Sequence, residues 1–220
     1  MTVASHLAAL DGALLGPRRI RRCMIAEARA GLHDAVDAYR DGGVSAERAE
    51  ELAVRDFGTV GEVAPSYQAE LTARQGRTAA VLYAIVFPTM LFGWDLLWST
   101  GAVTWPRGPA PHLVTALAGL QDVVTVVVAV AAITLLAVTF RRSVPPERLT
   151  VAIGLTGAIG APLCGGISIV MNLVAARSTV HLIMTSPAAA AAFATSALVL
   201  VVLIWQSVRT LRVARAAQAH

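Results

Sequence analysis

No charged residue stands between Arg148 and Arg177, and the residues between them are predominantly apolar. A helix that crosses ~30 Å of hydrocarbon at 1.5 Å per residue needs about 20 such residues in a row. Three other runs meet the same requirement, so four spans are expected, at about 79–98, 117–140, 150–174 and 187–208. Asp95 interrupts the first near its end and Asp122 the second near its start. Ser186 and Pro187 open the fourth, serine as the N-cap and proline at the first helical position. Any one of these runs could be a buried helix of a soluble protein. Four in succession, each bounded by Arg or Pro, argue against that, and so does the composition: 56% of residues are hydrophobic and 15% charged, against about 25% charged in ordinary soluble domains.

The charge is distributed as two unlike halves. Residues 1–77 hold ten Arg and eleven acidic residues, residues 78–220 eight Arg and three acidic ones. Every cation is Arg, which reflects a GC-rich coding bias more than chemistry, and the basic pI near 9.8 is no sign of nucleic-acid binding. Sixteen of the eighteen Arg fall in the N-terminal half, in the second loop (Arg141, Arg142, Arg148) and in the tail (Arg209, Arg212, Arg215). The first and third loops hold one each, Arg107 and Arg177. Short Arg-rich loops stay in the cytoplasm, so both termini are expected there, in a multi-pass protein of the cell membrane. Trp94, Trp98 and Trp105 then gather at the outer face and Trp205 at the inner one, where an indole ring favours the interface. No cleavable leader is expected, because the start lacks a basic segment and the first long apolar run begins only after residue 77. The two cysteines, Cys23 and Cys164, offer no disulfide framework or metal spacing.

Residues 1–77 read as three or four short helices forming a small domain. After Gly16 and Pro17, the residues Ile20, Met24, Ala28, Leu32, Ala35, Val36 and Tyr39 recur at steps of three and four, one face of a helix. Gly42 and Gly43 end it. Ser45 caps the next helix, whose buried stripe is Ala49, Leu52, Ala53 and Phe57, and Gly58 stops it. Thr59 and Glu62 have capping-box spacing. The last helix carries Val63, Tyr67 and Leu71, with Pro65 near its start, and leads through Arg74 and Arg77 into the first span. A core of this size is marginal, and docking on the membrane half or on a partner would strengthen it.

Several of these segments carry a family likeness. Leu7 to Leu10, Pro17 to Arg22 and Glu27 to Ala35, followed by Gly43 to Glu50 and Val54 to Ala64, resemble the HAAS-type alpha-helical signalling domain, or permease prefix domain. The family's Gly-Asp/Ser-Pro turn reads Gly58-Thr59-Val60 here, without the proline. The likeness covers about residues 5–75 and rests on helix punctuation, not on chemistry. It implies a domain that precedes membrane spans and works with a PadR-type winged-helix regulator.

Within the spans, Gly157, Ala161 and Gly165 share a helix face. Small residues at that spacing allow close helix approach; internal packing, a dimer face of a homo-oligomer and an unwound stretch at Pro162 are the three readings. Asp95 and Asp122 fall at similar depth near the outer side, and Asn172, His112 or His181 could join them. These residues either sit hydrated in the headgroup layer or form an outward-facing cluster that senses an ion, a proton or a small cation, or that lines a transport path. Gly76 lowers helix propensity between the last soluble helix and the first span by about 1 kcal/mol relative to Ala, which marks Glu70 to Thr78 as a coupling joint.

No nucleotide loop, metal-ligand spacing or nucleophile–base pair is present: the glycines 154–160 lie inside an apolar run, His6, His33 and His220 are scattered, and Ser99 and Ser168 have no His or Asp placed to activate them. No cofactor, no metal and no direct nucleic-acid binding is expected. The expected architecture is all-α, a small cytoplasmic helical domain (1–77), a four-helix membrane bundle (78–210) and a basic tail (209–220) whose Arg reach anionic headgroups. The expected role is a non-enzymatic membrane signalling or regulatory protein, with the lipid bilayer and a PadR-type regulator as partners. The competing expectation is an accessory or small component of a transporter, although four spans without inverted halves make a poor carrier alone.

Overall fold

A computed structural model describes residues 2–105, 110–140 and 145–217. Arg107, Arg141, Arg142 and His220, used in the sequence reading, lie outside the described residues. The architecture is all-α: α1 (Val3–Ala13), α2 (Arg18–Asp41), α3 (Ala46–Phe57), α4 (Val60–Ser99), α5 (His112–Val138), α6 (Pro146–Val174), α7 (Ala176–Thr185) and α8 (Pro187–Ala217).

The punctuation of the first three helices follows local chemistry. Thr2 caps α1, its hydroxyl oxygen accepting from the Ser5 amide. α2 begins behind Pro17, whose φ of −59° already suits a helix entry. It ends at Gly42, and Gly43 turns the chain at a φ of +85°. Gly58 does the same after α3 at +97°; a Cβ at either position would be strained. At the start of α4 the Glu62 carboxylate accepts from both the backbone N–H and the hydroxyl of Thr59, each at 2.7 Å. These bonds hold the Glu62 carboxyl below its usual value, the backbone bond contributing most.

α1, α2, α3 and the first turns of α4 form a head. One of its two apolar clusters joins Val3 and Leu7 to Ala28, Leu32, Val36, Ala49 and Ala53. The other joins Leu10, Leu14, Met24, Ala64 and Leu71, and it is completed by Val213 of α8. The small helical core is therefore not closed on itself: the end of α8 supplies part of it. Residues 209–217, read in sequence as a basic tail in which the last span runs on as an interfacial helix, do continue α8 without a break, but Thr210, Val213 and Ala214 of that stretch are buried.

α4, α5, α6 and α8 are the four helices long and apolar enough to cross a membrane. α4 and α6 each touch the three others, and α5 and α8 flank that pair. The bundle's own core contains Tyr83, Phe87, Val128, Ala132, Ile153, Ala161 and Leu203. Its outer surface is also apolar, with Val127, Val130, Ile133, Leu198 and Val201 exposed. A bundle in water turns polar residues outward; one apolar inside and out suits a lipid solvent, so the chain is compatible with a multi-pass membrane protein. α4 and α6 continue through Pro88 and Pro162, so α6 is not unwound at Pro162. α7, read in sequence as part of a loop, is an additional short helix at the end of the bundle far from the head. Its Leu182 packs with Val103 and Ala189.

Candidate functional site

The feature that distinguishes this bundle is a buried polar seam where the head meets α4, α6 and α8. α4 carries Gln68, Thr72, Gln75 and Gly76 on one face, at helical steps of four, three and one, all of them buried. The Gln68 amide clamps the backbone of Leu15, between α1 and α2: its Oε1 accepts from the Leu15 N–H and its Nε2 donates to the Leu15 carbonyl, both at 2.9 Å. Beside it, Arg21 donates to the Leu14 carbonyl at 3.0 Å and pairs with Asp11 at 2.7 Å. The α1–α2 connection is thus held by α4 through one side chain that satisfies both groups of a single peptide residue.

The next rungs run into the bundle. The Thr150 hydroxyl of α6 donates to the Thr72 carbonyl of α4 at 3.1 Å. Gln75 Nε2 donates to Thr210 Oγ1 of α8 at 3.1 Å, and that hydroxyl donates on to the Gln206 carbonyl at 2.9 Å. Tyr83 OH and Ser207 Oγ lie 2.8 Å apart, and Ser207 donates to the Leu203 carbonyl at 2.7 Å. Since Ser207 has one proton, Tyr83 is the donor of that pair. Ser207 and Thr210 of α8 therefore each bond backward along their own helix while accepting from α4. In a low-dielectric interior such satisfied rungs fix one register between helices, and an unmade one leaves a costly orphan.

Small residues make room for this seam. Gly76 is buried, and a Cβ there would come within 2.5 Å of Thr150 Oγ1. α4 is unbroken through Gly76; the missing side chain serves close approach of α4 to α6, which single-helix propensity does not reveal. Gly157 lies under Tyr83 and Ser207, Gly165 under Leu200, and Ala161 is fully buried. The three sit on the face of α6 turned into the bundle, chiefly against α8, and Gly154, under Leu211, extends the stripe toward the head.

The residues expected near the outer side fall into two groups. Asp95 and Asp122 are both exposed and close enough for one charge to act on the other, yet among the described residues neither has a hydrogen bond or an ion pair. Asn172 is bonded elsewhere: its Nδ2 donates to the Ser168 carbonyl at 2.7 Å, and its Oδ1 accepts from Thr179 of α7 at 3.1 Å. Ser168 Oγ in turn donates to Gln121 Oε1 at 2.9 Å. This second network joins α5, α6 and α7, and Trp94 Nε1 donates to Ser196 of α8 at 3.1 Å on the other flank. His112 and His181 are exposed. Among the described residues no group of three His, Cys, Asp or Glu side chains is placed to hold a metal ion.

Gln68, Thr72, Gln75, Thr150, Ser207 and Thr210 were not singled out in the sequence. The available signal was the spacing of Gln68, Thr72 and Gln75 with Ala79 and Tyr83 beyond them, an uninterrupted helix face that changes from polar to apolar. No family model, curated protein or solved structure matches the chain.

Proposed function

We propose that the chain is a membrane signalling protein without enzymatic chemistry. In this reading the head and both termini are cytoplasmic. The bundle responds to the state of the membrane or envelope, and the head binds a transcriptional regulator of the PadR winged-helix type. The observation that carries the reading is continuity: the last helix of the head and the first span are one 40-residue helix, α4. Buried hydrogen bonds tie that helix to the head at Leu15 and to α6 and α8 at Thr150 and Thr210. A displacement of α4 relative to α6 or α8 has to break these rungs, so the coupling resists continuous sliding, as a switch between discrete states requires.

The test uses a reporter for the promoter that the regulator controls, in cells carrying variants at matched protein levels. Gly76→Ala forces α4 away from Thr150 and should shift reporter output. Adding Thr150→Ala removes the obstruction and should return output toward wild type, with a coupling of roughly 0.5–3 kcal/mol between the two sites in a double-mutant cycle on stability. Asp95→Asn should alter the response to membrane or pH stress with expression intact. Wild-type output from all three variants under every stress would reduce the protein to a passive tether.

A further inference from the structure

We propose that a groove between the start of α2 and the far end of α8 binds the phosphate headgroup of an anionic phospholipid, with its acyl chain along α8. The groove takes Arg18 and Arg19 from the head and Arg209 and Arg212 from α8. Its apolar wall continues along α8 through Val208, Trp205, Ile204 and Val201. Among the described residues no acidic side chain lines it. The proposal goes beyond the signalling reading and requires only that α8 lies in a bilayer.

Three observations point to an anion with an apolar tail. First, none of these four guanidinium groups forms an ion pair among the described residues, whereas the neighbouring Arg21 is turned away to Asp11 and the Leu14 carbonyl. Second, α2 begins with two cations and no acidic residue in its first turn, and its N-cap, Pro17, provides no side-chain hydrogen bond. The unpaired amides and partial positive charge of a helix start favour an anion, and Arg18 and Arg19 add to the same unbalanced charge. A phosphate placed there is recognised by the helix start and by guanidinium forks together.

Third, the wall has the dimensions of a lipid. Val201 to Val208 spans seven residues of helix, about 10 Å, and Arg212 lies about 16 Å from Val201, close to half of a ~30 Å hydrocarbon layer. Trp205 is exposed and stands under the Arg209 guanidinium at 5.0 Å, the arrangement of an interfacial indole below a headgroup-level cation. A soluble phosphate would satisfy the guanidinium groups but would have no tail to lie along Val201, Ile204 and Val208, directly beneath them. A bound phospholipid would bridge the head to α8 and make the docking of the head dependent on the anionic content of its leaflet.

The experiment uses the purified full chain in nanodiscs of phosphatidylcholine, or of an equimolar mixture with phosphatidylglycerol, read by thermal unfolding and by native mass spectrometry of retained lipid. Phosphatidylglycerol should be retained and should raise the melting temperature, as any ligand of the folded state does. Arg18→Gln/Arg19→Gln and Arg209→Gln/Arg212→Gln should each weaken retention roughly tenfold or more, as expected when charge-assisted bonds are lost. Arg29→Gln, exposed on α2 away from the groove, should match wild type. The two double variants change exposed or half-buried side chains and should melt as wild type does in phosphatidylcholine alone; if one pair fails to fold, the other decides the outcome. Equal retention of phosphatidylcholine, or unchanged retention in a folded double variant, would overturn the proposal. Full competition by millimolar inorganic phosphate would also overturn it, because the site would then be a plain anion site with no use for its apolar wall.

Discussion

His6, on α1, lies in the interior of the head. It is fully buried, its ring meets Phe57 edge-on at 5.6 Å, and among the described residues neither ring nitrogen has a hydrogen-bond partner. Burial alone lowers its pKa from 6.5, with no charged group acting on it. The unfolded chain therefore takes up a proton near pH 6.5 that the folded head refuses until a lower pH, so this contribution to stability is present above 6.5 and lost as the pH falls. A second stage lies lower. Asp56, which accepts a hydrogen bond from Tyr39, and Glu62, bonded to Thr59, titrate below their ordinary 3.8 and 4.5. Their support is lost as pH falls through those lowered values, and it is small because both are exposed. Melting of the full chain in neutral-detergent micelles should thus weaken on acidification through 6.5, and His6→Leu should flatten that first stage while leaving the lower one. An identical first stage in His6→Leu would place the responsible group elsewhere. In the sequence His6 was one of several scattered histidines. Its burial was legible only through Val3, Leu7, Leu10 and Leu14, whose spacing puts it at the edge of the buried face of α1.

At the scale of elements, α4 joins the two halves, and its capping box, its head stripe and its first span were each readable separately. What one helix's periodicity could not supply was the identity of the groups facing Gln68, Thr72 and Gln75. Their partners are Leu15, Thr150 and Thr210, far away in the chain. A polar residue beside an apolar stripe is read by default as the solvated edge of a helix; here it is buried because three other segments close over it. The Gln68 clamp gives a direct test. Gln68→Leu preserves bulk but orphans the Leu15 N–H and carbonyl, at a cost of roughly 1–3 kcal/mol for each group left without water or partner. Gln68→Glu keeps the acceptor and loses the donor. Hydrogen exchange at the Leu15 amide should be fast in Gln68→Leu and remain protected in Gln68→Glu. Protection in both variants would mean that the α1–α2 connection is held by packing of Leu14 and Arg21 without the amide.

For the whole molecule, the number and length of the apolar helices were legible because a bilayer imposes its own thickness on the sequence, whereas α7 was not, since ten residues around Arg177 and His181 carry no such constraint. The burial of Val213 against the head was equally hidden, because a basic tail looks alike whether it lies on lipid or on protein. That contact has a consequence for topology. The end of α8 shares a core with α1, α2 and α4, so both described ends of the chain lie at one end of the bundle, as an even number of spans requires. The described Arg of the head and of the end of α8, including the four of the groove, belong to this same end, and cations are retained on the cytoplasmic side of a membrane. Reporters fused at the N-terminus and at the C-terminus should therefore both read cytoplasmic, and one inserted in the 105–111 loop should read external. Opposite readings from the two termini would contradict the shared core itself. External readings from both would leave the fold intact but remove the head from any cytoplasmic regulator, so that the signalling reading would fall while the architecture stood.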